Sequence, residues 1–278
     1  MTAGEPGWFW TPRRRPGAAL RLMCFPHAGA DAPAFLALAD ELPEDVEVRA
    51  LRMPGRDGAR TSPGLAGLIA GAAAALADVE TPYAVLGQSL GGLIGFETAR
   101  AVAVARPPVG LIALSAPPPH RFAPRLEEML AAGQPSADGV VPGGLRFLLS
   151  HLEQSDRQLS AALDDPVVRR IVIRDIWADL TLFRGYRPAE TPRPACPVHA
   201  LIGAQDPSLQ AADMARWERY TTGAVTTSTL DTGHFMLQTA RAEVARRIVG
   251  TLATWRTAER DAAGRAANRR TDRPREER

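Results

Sequence analysis

The chain has no lysine: all 33 of its basic residues are arginine. That absence rules out Schiff-base catalysis and any phosphate chemistry that depends on a lysine ammonium. Cysteine is scarce as well. Cys24 and Cys196 each lie in or beside an apolar run, which suits reduced core thiols better than a disulfide framework. No apolar stretch approaches the roughly 20 residues a membrane helix needs, so no membrane association is expected. The segment Met1–Trp8 is acidic and aromatic where an export signal would be positive and then apolar, so the expected compartment is the cytoplasm.

Within 278 residues, 45% hydrophobic and 23% charged, there is enough apolar material for one large domain with a substantial core. The net charge of +2 is local. Segment 257–278 holds seven arginines and five carboxylates, leaving 26 of each elsewhere, so the domain is expected to span 1–256. A mixed-charge tail so poor in apolar residues is expected to be disordered; nucleic-acid binding by it is the weaker alternative, and no nucleic-acid partner is expected.

The body of the chain alternates two patterns. Largely apolar runs at 18–25, 83–88, 109–114 and 198–203, the alternating 46–51 and the segment 225–230 read as strands. Helical stretches separate most of them: Pro33–Leu42, the alanine-rich Leu65–Val79, and Leu90–Val104. Repeated strand and helix predict an α/β fold with a mostly parallel sheet covered by helices on both faces. The alternation stops over 116–187, where LRFLLSHLEQ and VVRRIVIRDIWADLTLFRGY give helix without strand. A helical insertion is expected there, forming a lid or docking surface beside the site; its apolar stripe of Ile171, Val172, Ile176, Leu180 and Phe183 reads as helix packing, with a ligand channel as the alternative.

Candidate chemistry gathers where strands end. Gly87-Gln88-Ser89-Leu90-Gly91 follows an apolar run and opens a helix, the pattern of a strained elbow that exposes a serine hydroxyl. Asp206 stands just after the strand ending at Gly203, and His234 follows the last strand. A serine needs an imidazole to take its proton, and the imidazole needs a carboxylate to hold its tautomer. Ser89, Asp206 and His234 supply the three in that order; Asp213 and Asp231 are weaker candidates for the carboxylate. The small-residue loop His27-Ala28-Gly29-Ala30 after the first long strand could aim an amide at an oxyanion, so the Ala28 and Leu90 N–H groups form the expected oxyanion hole. Arg56 reads as structural and Arg52 and Arg60 as solvated, with contact between one of the three and an anionic group of the substrate as the second possibility. His120 and His151 follow no strand and read as surface or structural residues, and His199 as a hydrogen-bonded core histidine.

The runs ALRLMCFPHAGA, MPGR, YAVLGQSLGG, GFETAR, YRP, ALIGAQDP and TGHF, spread between about Trp8 and Trp255, resemble the stand-alone type II thioesterases of polyketide and nonribosomal peptide biosynthesis. The resemblance implies an α/β-hydrolase core with a helical lid. It also implies hydrolysis of acyl or aminoacyl groups from the phosphopantetheine arm of acyl or peptidyl carrier domains, to clear stalled groups. By it, Ser89, Asp206 and His234 match the triad and Ala28 and Leu90 the oxyanion donors, with no cofactor or metal required.

Two departures stand out: the elbow carries Gln88 and Leu90 where the family usually has His and Met, and the A-G-G loop reads Ala28-Gly29-Ala30. Leu for Met conserves volume, but Gln88 cannot titrate, so Gln88 and His27 are candidate modulators of rate or acyl preference. The alternatives that remain are an acyltransferase or cyclising release enzyme with the same triad, and a non-catalytic protein docked on a synthetase.

Overall fold

The computed structural model describes residues 7–56, 63–136, 141–155 and 157–271; Arg60 lies outside them. The first half of the chain forms β1 (Phe9–Trp10), β2 (Leu20–Phe25), a 3₁₀ turn (Ala32–Phe35), α1 (Leu36–Glu41), β3 (Val46–Leu51), α2 (Gly64–Ala77), β4 (Tyr83–Gln88), α3 (Leu90–Val102) and β5 (Leu111–Leu114). Among the described residues, four helices then follow without a strand: α4 (Pro119–Ala131), α5 (Gly143–Ser155), α6 (Arg157–Leu163) and α7 (Pro166–Leu182). The sheet resumes with β6 (Val198–Gly203), α8 (Ala211–Ala215), a second 3₁₀ turn (Arg216–Arg219), β7 (Val225–Leu230), α9 (Met236–Thr239) and α10 (Arg241–Thr271).

The seven strands among the described residues form one sheet in the order β1-β3-β2-β4-β5-β6-β7. β1 pairs antiparallel with β3 and every other pair is parallel. Two-residue β1 carries no run long enough to show alternation, which is why sequence patterning misses it. β2 and β4 are buried along their whole lengths, as strands covered on both faces must be. Successive residues feed opposite faces: Met23, Phe25, Tyr83 and Val85 pack beneath α2 and α3, whereas Leu22, Cys24, Ala84 and Leu86 pack against α1 and α10. Both cysteines are buried free thiols.

In-register pairing aligns the carboxyl ends of the strands. Phe25 of β2 lies beside Gly87 of β4, Gln88 beside Leu114 of β5, and Gly203 of β6 beside Leu230 of β7. Loops leaving these ends therefore converge on one edge, the place where open α/β sheets bind ligands.

Two expectations are corrected. α10 runs to Thr271, past the boundary drawn at 256, so 257–271 are helical rather than an irregular tail. Its first part is docked through Val244, Ile248, Leu252 and Trp255, and the Ala- and Arg-rich continuation extends a helix already nucleated by that packing. Residues 272–278 lie outside the described residues. His199 is not a core residue either: it is partly exposed on β6, bonded to the Thr226 hydroxyl at 2.7 Å and to Ser228 at 3.0 Å.

Candidate active site

The elbow is built by close packing. Ser89 sits between β4 and α3 at φ 53° and ψ −122°, a left-handed backbone that a non-glycine residue holds only where its surroundings impose it. A Cβ on Gly87 would lie 2.3 Å from the Gly91 carbonyl oxygen, and one on Gly91 would lie 2.1 Å from that of Phe25. Only glycines let β4, α3 and β2 approach so closely. The Ser89 amide donates to the Leu114 carbonyl at 2.9 Å, pinning the turn to β5.

Beyond β6 and β7, two loops bring a carboxylate to an imidazole. Asp206 Oδ2 lies 2.7 Å from His234 Nδ1, and both side chains are almost wholly buried. The other carboxylate oxygen accepts two bonds from Ser208, one from its amide at 2.9 Å and one from its hydroxyl at 2.6 Å. Burial alone would raise the Asp206 carboxyl, but the hydrogen bond and charge of His234 and the two bonds from Ser208 outweigh it and bring it down to about 2. Asp206 is thus an acceptor at neutral pH, so His234 Nδ1 donates to it and Nε2 is the ring nitrogen turned away from the carboxylate. That Nε2 is buried without a protein hydrogen-bond partner. Asp213 is engaged by Arg121 and Asp231 by Gln205, which leaves Asp206 as the carboxylate on the imidazole.

Ser89, Leu90, His27, Ala28 and His234 line one cavity of about 330 Å³. The rest of its wall is mainly apolar, with Phe122, Met129, Leu148, Leu152, Leu180 and Leu209 supplied by α4, α5, α7 and the loop after β6. Among the described residues, neither the Ala28 nor the Leu90 amide donates to a protein acceptor. Leu90 opens α3, where unpaired amides and the helix dipole favour negative charge. Ala28 and Leu90 thus border the cavity that Ser89 also lines.

Gln88 is 1% exposed and does not line the cavity. Its amide donates at 3.4 Å to both the His234 carbonyl and the Gln238 side-chain oxygen. Gln238 in turn lies 3.5 Å from His27 Nε2, and His27 Nδ1 donates to the Ala28 carbonyl at 3.0 Å. Burial, chiefly, lowers His27 to about 4, so it is neutral and serves this chain as acceptor and donor in one tautomer. Gln238 was not foreseen, because nothing in its local sequence marks it. Ser208 could have been, since a hydroxyl two residues after an aspartate is a common turn partner.

Arg56 is structural rather than substrate-facing: it is buried between Asp175 and Asp179 of α7. His120 stacks on Tyr220, consistent with a structural residue.

A family model described as a thioesterase domain matches residues 20–252. The chain belongs to the thioesterase family. The thioesterase is 28% identical over 233 residues to thioesterase PikA5 of Streptomyces venezuelae, covering 80% of this chain and 77% of that protein. It is 31% identical over 233 residues to part of the AMB antimetabolite synthetase AmbE of Pseudomonas aeruginosa, covering 81% of this chain but 10% of the synthetase. Among solved structures it resembles the type II thioesterase BorB of the borrelidin cluster, with a TM-score of 0.71 at 26% identity over 87% of this chain and 96% of that one. RedJ, a thioesterase of the prodiginine pathway in Streptomyces coelicolor, aligns with a TM-score of 0.68 at 26% identity, covering 88% of this chain and 89% of RedJ. The α/β-hydrolase fold and the resemblance to type II thioesterases are both borne out by these neighbours. The thioesterase is accordingly a hydrolase, and no helix among its described residues is long and apolar enough to cross a membrane.

Proposed function

We propose that this thioesterase removes acyl groups from the phosphopantetheine arm of carrier domains in polyketide or nonribosomal peptide assembly, using Ser89, His234 and Asp206 as a triad. The observation that carries the reading is the unpartnered His234 Nε2, buried in the same cavity as Ser89, with its other nitrogen held by Asp206 at 2.7 Å.

His234 Nε2 takes the Ser89 proton as Oγ attacks the thioester carbonyl, and the oxygen takes up negative charge facing the Ala28 and Leu90 amides. Collapse expels the pantetheine thiolate, which receives that proton from His234. Water then gives a proton to the same nitrogen as it attacks the acyl ester; collapse breaks the bond to Oγ, which takes that proton back from His234, and the free acid leaves. The chemistry calls on no metal or cofactor, because the pantetheine arrives with the substrate. The apolar wall contributed by α4, α5 and α7 supports an apolar acyl group as occupant, with these helices as the lid. Similarity to a stretch of a synthetase and to assembly-line thioesterases supports a carrier domain as partner and the cytoplasm as the place of action.

The test is a panel of acyl- and aminoacyl-loaded carrier proteins with product masses recorded. Free acid released by the wild type and lost in Ser89→Ala supports the reading. Full turnover in Ser89→Ala overturns it, and a new ester, amide or ring in place of free acid identifies transfer or cyclisation instead.

A further inference from the structure

The Ala28–Gly29 peptide unit is gripped at both ends. Its carbonyl accepts from His27 Nδ1 at 3.0 Å, and its N–H, on Gly29, donates to Asp179 Oδ2 at 2.8 Å. His27 belongs to the same loop, whereas Asp179 comes from α7, 150 residues away. Gly29 has φ +84°, and a Cβ there would meet Ile176 Cγ1 at 2.4 Å, so α7 lies directly on the loop. Without such contact a glycine peptide plane would turn easily.

Asp179 is 2% exposed, too deep for an unpaired carboxylate. Arg56 supplies the counter-charge. Its Nη2 reaches Asp179 Oδ2 at 2.6 Å and the Asp175 carbonyl at 3.4 Å, while its Nε lies 3.4 Å from Asp175 Oδ2. Arg174 engages the other Asp175 oxygen at 2.8 Å. Three segments meet at this cluster: the oxyanion loop after β2, the turn after β3 that carries Arg56, and α7 of the helical insertion. One turn along α7 from Ile176, Leu180 forms part of the cavity wall. The helix that shapes the acyl cavity thus also grips the loop bearing an oxyanion donor.

We propose that Asp179, held by Arg56, is a positioning residue for the oxyanion site: it fixes the Ala28–Gly29 peptide so that the Ala28 amide faces the developing oxyanion. This rests on the reading of Ala28 as an oxyanion donor. The placement makes that donor depend on α7 being seated, so the insertion contributes to transition-state stabilisation as well as to the substrate cavity. Asp179 acts through the loop, so its loss weakens binding of the transition state more than binding of the substrate.

Asp179→Ala, Asp179→Asn and Ser89→Ala are compared with the wild type using an acyl-pantetheine thioester. Binding is measured for an alkylboronic acid, which forms a tetrahedral adduct on the serine, and for an S-alkyl pantetheine thioether, a ground-state mimic. Asp179→Ala is expected to lower kcat roughly 10- to 100-fold, weaken the boronic acid in parallel, and leave KM and thioether affinity within about threefold. Asp179→Asn keeps an acceptor oxygen for Gly29 but, at pH 8, lacks the carboxylate charge that faces Arg56, and is expected to fall between the wild type and Asp179→Ala. Should the alanine variant not fold, the asparagine variant decides by the same split. Wild-type kcat, or equal losses in boronic acid and thioether binding, overturns the proposal. Ser89→Ala separates the failures: an active Ser89→Ala removes the underlying reading, whereas an inactive one beside an unimpaired Asp179→Ala removes this inference alone.

Discussion

Ser208 and His234 divide the two oxygens of Asp206: the Ser208 hydroxyl and amide bond one carboxylate oxygen while His234 Nδ1 bonds the other, and the Ser208 hydroxyl lies 3.4 Å from that same Nδ1. The carboxylate is therefore oriented before any substrate arrives, and the imidazole orientation follows from it. Removing the charge while keeping the shape tests that arrangement. Asp206→Asn is expected to lower kcat by roughly 10³- to 10⁴-fold, because an amide nitrogen facing Nδ1 favours the wrong tautomer. Ser208→Ala leaves the charge in place and should cost much less; single-turnover kinetics on an acyl-pantetheine ester measures both.

Acid should act through the same carboxylate. Asp206 is lowered to about 2 in the folded protein, below its ordinary 3.8, so the folded state binds fewer protons in that window. Its stabilising contribution is full above about pH 4 and disappears as pH falls towards 2. Melting temperatures between pH 5 and 2 should fall less steeply in Asp206→Asn than in the wild type.

Asp179 should show the opposite sign. Burial, opposed by Arg56 and the Gly29 amide and reinforced by Asp175, raises its carboxyl to about 7. The folded state then holds a proton that the unfolded chain has lost, so this group's contribution is full below about pH 4 and is lost as pH rises to 7. The limiting slope for one proton is about 1.4 kcal/mol per pH unit. Asp179→Asn removes that slope, which urea unfolding at several pH values between 4 and 7 would reveal.

The elbow should be intolerant of a single methyl group. Gly91→Ala places a carbon 2.1 Å from the Phe25 carbonyl oxygen, against backbone that cannot step aside. A loss of roughly 1–3 kcal/mol in unfolding free energy is expected, together with loss of labelling by a fluorophosphonate probe at Ser89. Wild-type stability and labelling would show that the packing has slack.

Acyl-chain preference should follow the cavity. Each methylene buried against the apolar wall is worth about 0.8 kcal/mol, so kcat/KM should rise roughly fourfold per carbon until the space is filled. Leu148→Trp narrows the cavity and should move the optimum to shorter chains without altering kcat for the shortest one. A chain-length series on pantetheine esters gives the comparison.

Much of this molecule is written locally. Strand-like runs ending at Phe25, Gln88, Leu114 and Gly203 can be read because a buried parallel strand is largely apolar and a turn follows it, whereas the exposed edge strand VTTSTL ending at Leu230 is legible from its β-branched residues. The serine, aspartate and histidine are legible for the same reason: each stands just beyond a strand end, and backbone conformation there is a property of a few neighbouring residues. Helix in 257–271 was missed because charge composition speaks of solvation, whereas the helix is continued from residues packed upstream.

Contacts between distant segments were decided by tertiary structure alone. Nothing near Asp179 in the chain marks it as the acceptor of the Gly29 amide, and nothing near Gln238 marks it as the link between Gln88 and His27. A side chain's partner across 150 residues depends on how α7 settles on the loop after β2, and that is set by the packing of Ile176 over a glycine rather than by any local spacing. The sequence by itself determined which groups could do the chemistry and at which strand ends they stand. Only the folded arrangement decided what holds them there, because burial creates the demand for a partner and packing chooses it.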